Sequence, residues 1–129
     1  MRYVQDKYGN RLSALGFGCM RFSRRLGLTD MKATEEQILE AVNLGVNYFD
    51  TAYIYPGSEA ALGEILEKNS LRDRVFIATK LPHYLIKTPG DAERLLPRSF
   101  PASAPTEWTF TSCICSPTPP PGTDSVLLA

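Results

Sequence analysis

Between Ser13 and Leu96 the apolar pattern switches repeatedly, from short β-favouring runs to helical spacing and back. That alternation restricts the fold more than anything else in the chain, because strands alternating with helices build a parallel sheet with helices packed on it. Ser13 to Cys19 reads as the first strand. Thr34-Glu35-Glu36-Gln37 then has the form of a capping box with Thr34 as cap. Ile38, Ala41, Val42 and Leu44 give that helix an apolar face, and Gly45 is a suitable stop. Val46 to Phe49 is the next strand and ends at Asp50. Ser58 is placed to cap a second helix striped by Leu62, Ile65 and Leu66. Arg74 to Lys80 reads as the third strand, apolar on both faces as a buried parallel strand is. Thr88-Pro89 opens a third helix, whose Ala92, Leu95 and Leu96 give out at Pro97. Ahead of the series, the Tyr8-Gly9-Asn10-Arg11 turn between RYVQ and RLSALGFG predicts a small hairpin.

From Pro97 the grammar disappears. Residues 97–129 hold seven of the ten prolines, whereas residues 1–96 hold 13 of the 14 basic and 12 of the 14 acidic residues. A segment so rich in φ-locked, donor-less residues has no helical period and cannot form a paired strand, which predicts a disordered tail. The chain thus divides into an ordered α/β part, 1–96, and a Pro/Ser/Thr-rich tail, 97–129. PTPPPG is compatible with an extended polyproline segment, so a small binding module with the tail as partner ligand stays open as a second reading. With 129 residues, 43% of them apolar, the chain is long enough for one domain with a core. Lys plus Arg equal Asp plus Glu at 14 each, which gives no field to attract nucleic acid or an anionic membrane. No run approaches the ~18 apolar residues of a membrane span. The polar start MRYVQDKYGN and an odd number of cysteines point to a cytoplasmic setting.

In β/α proteins ligands bind at the C-terminal ends of the strands. Gly18, Cys19 and Met20 close the first strand, Asp50 closes the second with Tyr53 and Tyr55 just beyond, and Lys80 closes the third. Neighbouring parallel strands would bring Asp50 and Lys80 within pairing distance, with a tyrosine over both. A phenol, with its pKa of ~10, is a sluggish proton donor near neutrality. An ammonium beside it favours the phenolate, and an opposite charge commonly moves a pKa by ~1–3 units. Asp50 would hold Lys80 protonated and aimed, and Tyr55 could then protonate a carbonyl oxygen. Taken singly these residues have plainer readings: a turn-forming aspartate, rim aromatics and an exposed lysine.

FDTAYIYPGSEAALGEIL, with LGFGCMR upstream and VFIATK downstream, resembles the N-terminal third of an aldo-keto reductase. That family's motif runs D-T-A-x-x-Y, then a serine-glutamate helix start and L-G, with a lysine ending the next strand. The resemblance covers nearly all of residues 1–96. It implies the N-terminal portion of a (β/α)8 TIM barrel, about three β/α units behind a short hairpin. It also implies reduction of aldehydes or ketones with NADPH or NADH. Asp50, Tyr55 and Lys80 match the catalytic positions; Gly18, Cys19, Met20 and Asp50 match positions that touch the cofactor. Tyr53 falls in the variable part of the motif and is expected to pack, and Glu59 to favour the helix dipole. The start MRYVQDKYGNRLSALGFGCMR looks most like the branch whose longer members carry a C-terminal iron–sulfur region.

The departures from the family pattern matter as much. The single histidine, His83, follows Lys80 by only three positions and cannot be the family's histidine on a fourth strand. The cofactor's phosphate and adenine grips have no counterpart, and Cys113-Ile114-Cys115 lacks the four-cysteine arrangement of a cluster, so no metal site is expected. A complete barrel takes ~250 residues. The expectation is a truncated, inactive piece whose reading frame slips near Leu96, or whose gene model is truncated and extended by translated non-coding sequence.

Overall fold

The computed structural model describes residues 1–88, 90–91 and 110–114, and for His83 and residues 110–114 the backbone alone. A hairpin of β1 (Tyr3–Gln5) and β2 (Arg11–Ser13) leads to β3 (Phe17–Gly18) and a 3-10 turn at Cys19–Arg21. A second hairpin, β4 (Arg24–Arg25) with β5 (Leu28–Thr29), precedes α1 (Met31–Asn43). Then come β6 (Tyr48–Asp50), α2 (Ser58–Lys68), β7 (Phe76–Pro82) and β8 (Phe110–Ile114). Strands β3, β6, β7 and β8 lie side by side in that order, all parallel, in a four-stranded sheet.

The helices begin and end for local reasons. Helix α1 starts at Met31, ahead of the Thr34 that the capping-box pattern favours. Asp30 is the cap, its Oδ1 accepting from the Ala33 N–H at 3.1 Å, and a carboxylate also suits the positive end of the helix. Thr34 is thereby drawn inside the helix and fully buried. At the other end Gly45 sits at φ +90°. Its N–H reaches Val42 O and that of Val46 reaches Ala41 O, both at 2.9 Å, a Schellman stop. Helix α2 ends the same way, with Ser70 at φ +52° in the glycine's place and Leu71 N–H on Leu66 O at 2.9 Å. It begins at Ser58 with Gly57, at φ +72°, before it, so Ser58 is the first helical residue and not the cap.

Strand β7 runs over Phe76–Pro82 rather than Arg74 to Lys80, so Lys80 stands two residues before its end, and two further differences are larger. The first strand was predicted over Ser13 to Cys19, but only Phe17–Gly18 pairs in the main sheet. Ser13 instead closes the hairpin and clasps the entry to β6: its N–H donates to Asn47 Oδ1 at 2.7 Å and its Oγ accepts from the Asn47 N–H at 3.1 Å. The second difference is a short strand that the proline-rich composition did not announce. Residues 110–114 pair with β7, from Ala78 opposite Phe110 to Pro82 opposite Ile114. No proline interrupts the chain between Pro105 and Pro117, FTSCI is rich in β-favouring types, and β7 offers an edge of unpaired backbone groups. The remainder of the tail, and the third helix beyond Asp91, lie outside the described residues. At the start of that helix Asp91 Oδ2 accepts from the Thr88 N–H at 2.9 Å, the reciprocal half of a capping box.

The core lies between the sheet and the two helices. Phe49 and Ile77 project from β6 and β7 onto Ile38 and Val42 of α1 and Leu62, Ile65 and Leu66 of α2. Phe17 from β3 adds its ring, 5.4 Å from that of Phe49 between centroids. Each such side chain, fully buried, contributes about 1.5–3 kcal/mol.

Candidate active site at the strand ends

Register decides what faces the other side of the sheet. Gly18 stands opposite Asp50, and Asp50 opposite Ala78. Side chains alternate along a strand, so with Phe49, Ile77 and Thr79 turned toward the helices, Tyr48, Asp50 and Lys80 share the opposite face. Beyond Asp50 the backbone stays tied to β7, with Thr51 N–H on Ala78 O at 2.8 Å and Tyr53 N–H on Lys80 O at 3.1 Å. The chain then folds back: Tyr55 N–H donates to Ala52 O and Ser58 N–H to Tyr55 O, each at 3.0 Å. This double turn carries Tyr55 over the strand ends and starts α2 at once.

Lys80 is the hub. Its Nζ donates to the Asp50 carboxylate and, at 3.0 Å, to the backbone carbonyl of Thr51. The same ammonium lies 5.4 Å from the centroid of the Tyr55 ring, a cation–π distance. The Lys80 and Asp50 side chains keep 24% and 39% of their surface exposed, so the pair is open to a ligand. The structure thus brings Asp50, Tyr55 and Lys80 together. Gly18, opposite Asp50 in register, is exposed, as is Met20 on the 3-10 turn that follows, whereas the Cys19 side chain is turned into the core. Burial, then the Asp50 charge, pushes the Cys19 thiol up to about 12 against a smaller opposing pull from Lys80. The Tyr48 phenol is raised for the same reasons in the same order. Tyr53 is half-buried, and His83 lies on a 3-10 turn just past β7.

Beneath the open pair lies a layer of buried polar side chains that the sequence reading did not single out as a unit. Ser58 Oγ donates to the backbone carbonyl of Cys19 at 2.8 Å and stands 2.8 Å from Thr51 Oγ1. Since the single Ser58 hydroxyl proton goes to Cys19, Thr51 is the donor in the second bond. Thr79 Oγ1 donates to Glu59 Oε1 at 2.5 Å. The signal for this layer is faint: a threonine one position from Asp50 and another one position from Lys80, and Ser-Glu at a helix start.

The parallel β/α sheet thus gathers a carboxylate, an ammonium and a phenol at neighbouring strands. Residues 14–104 match the model of the aldo/keto reductase family, and the chain belongs to that family. It is 41% identical over 69 residues to an aldo-keto reductase of Gibberella moniliformis, covering 50% of this chain and 21% of that protein. It is 30% identical over 77 residues to the Schizosaccharomyces pombe protein named aldo-keto reductase yakc [NADP(+)], covering 57% of this chain and 23% of that one. A solved aldo-keto reductase from Bacillus halodurans, in its holo form, superposes with a TM-score of 0.54 at 32% identity. It matches 64% of this chain and 26% of its own length. The fold is therefore the N-terminal portion of a TIM barrel. The chain spans about a fifth of the length of the curated relatives it matches.

Proposed function

We propose that this chain carries the proton-handling part of a carbonyl reductase site, for an aldehyde or ketone substrate and an NADPH or NADH cofactor. One observation carries the reading: Lys80 bridges the Asp50 carboxylate and the Thr51 carbonyl with its ammonium against the Tyr55 ring. The nicotinamide supplies the hydride when bound. Tyr55 gives a proton to the carbonyl oxygen, and Lys80 stabilises the phenolate that remains. Asp50 pairs with Lys80 and fixes its direction. General acid catalysis of this kind is worth ~10²–10⁴-fold in rate.

The residues present suit the reactive end of such a cofactor. Gly18 is exposed, and nothing lies within 4 Å of the place a Cβ would occupy, so a flat ring can approach the backbone beside Asp50. The name of the Schizosaccharomyces pombe relative favours NADP(H). A cytoplasmic location fits this reading.

By itself the 129-residue chain is expected to show no NADPH-dependent carbonyl reduction. It spans about a fifth of its curated relatives, and the described sheet has open edges at β3 and β8. The test is a chimera in which residues 1–88 replace the matching segment of the Schizosaccharomyces pombe relative. The chimera should consume NADPH with an aldehyde, and Tyr55→Phe should abolish turnover. A folded chimera that is inactive, or one as active with Tyr55→Phe, would sink the reading.

A further inference from the structure

We infer that the first turn of α2, through Ser58 and Glu59, positions the site: it fixes the three strand ends relative to one another and thereby places the Lys80 ammonium. This rests on the role proposed above for Lys80.

Three observations converge. The side chains of these two consecutive residues reach all three strands of the site. Ser58 bonds to Cys19, Ser58 and Thr51 bond to each other, and Glu59 accepts from Thr79. Each residue so held is the chain neighbour of a site group: Cys19 follows Gly18, Thr51 follows Asp50, and Thr79 precedes Lys80. All five are buried, with Ser58 at 3%, Glu59 at 8% and the others at 1% or less. Threonine and valine are nearly the same shape, so an apolar layer could fill this space. Hydrogen bonds differ in fixing distance and direction at once, and in a dry interior an unmade one is costly.

Thr51 is the shared part. Its hydroxyl bonds Ser58, its N–H bonds Ala78 and its carbonyl holds Lys80. Rotating that peptide moves the ammonium. A substitution at Ser58, which does not touch Lys80 directly, should therefore be felt there.

Lysine ammonium 1H–15N spectra of the isotopically labelled 129-residue chain provide the test, with the Lys80 signal assigned by its loss in Lys80→Arg. The wild type should give a protected Lys80 signal. Ser58→Ala and Thr51→Val should shift it or broaden it beyond detection while the amide spectrum stays folded, and Thr51→Ser should restore it. An unchanged Lys80 signal in the folded variants would reduce the turn to a structural support and overturn the proposal, as would a wild type without a protected signal. Should Ser58→Ala and Thr51→Val both lose the fold, the wild type still decides. The Ser58 and Thr51 hydroxyl protons must then exchange slowly enough to observe, and their absence refutes the arrangement. No measurement here needs NADPH or a carbonyl, so an inactive chimera would sink the catalytic reading and leave this one standing on its own spectra.

Discussion

The two faces of the parallel sheet are made by the same strands and do opposite work. On the helix side Phe49, Ile77 and Thr79 are at most 1% exposed, and the first two contribute mostly through apolar burial. On the other side Asp50 and Lys80 remain partly open and ion-paired, an arrangement worth only about 0–1 kcal/mol to the fold. Because side chains alternate with a period of two, a slip of one residue would exchange the two roles. On the function proposed above, the strand carries stability and chemistry in alternate positions, and each should be removable without the other.

The largest expected effect is on the helix face. Phe49→Ala deletes a fully buried ring at the junction of α1, α2 and Phe17 and should cost about 3–5 kcal/mol. A domain has only ~5–15 kcal/mol in total, so urea unfolding should show a collapsed midpoint. A loss under about 1 kcal/mol would mean the ring is not in a packed core.

Cys19 tests the junction between the faces by pH. Its thiol is raised from the ordinary 9.0 to about 12, by burial first and the Asp50 charge second. A raised folded value means the unfolded chain releases its proton first. The contribution to stability is whole below pH 9 and is lost as pH rises toward 12. At about 1.4 kcal/mol per unit the span is on the order of 4 kcal/mol. Other groups titrate in this window, so the readout is the difference in alkaline slope between wild type and Cys19→Ala. Equal slopes would place the thiol in water.

The order of strands and helices was legible because apolar periods report it directly, and the chemical types at the strand ends were legible because their positions follow from that order. What escaped was settled by atoms the period does not see. Thr34 carries the capping-box signature, yet Asp30 lies four residues earlier with a carboxylate that reaches the Ala33 N–H. The Arg24–Thr29 hairpin turns on Leu26 at φ +53° and Gly27 at φ +81°, without the Asn or Asp that would have announced it. Ser58 has the composition of a cap, but its hydroxyl turns inward to Cys19. Strand β8 depends on a free neighbouring edge, which no local reading of FTSCI could supply.

Thr34 offers a smaller effect of opposite sign. It is fully buried, and its hydroxyl has no hydrogen-bond partner among the described residues. Thr34→Val keeps the shape and removes the stranded polar group, so a gain of about 1 kcal/mol is expected. A loss of stability would show that the hydroxyl is bonded after all.

The smallest change in stability should come from the residue next to the most sensitive one. Asp50 follows Phe49 directly and points to the other face. Asp50→Asn removes the negative charge but leaves an amide of the same size, and Lys80 retains the Thr51 carbonyl as an acceptor. The pair is partly exposed, so unfolding should move by no more than about 1 kcal/mol. In the chimera the same substitution should lower the rate by about tenfold or more, since a misdirected ammonium forfeits part of the ~10²–10⁴-fold acid catalysis. Phe49→Ala should lose its activity only in step with its folded fraction. If Asp50→Asn instead unfolds the chain, the ion pair is part of the scaffold, and the separation of roles between alternate residues fails at its central pair.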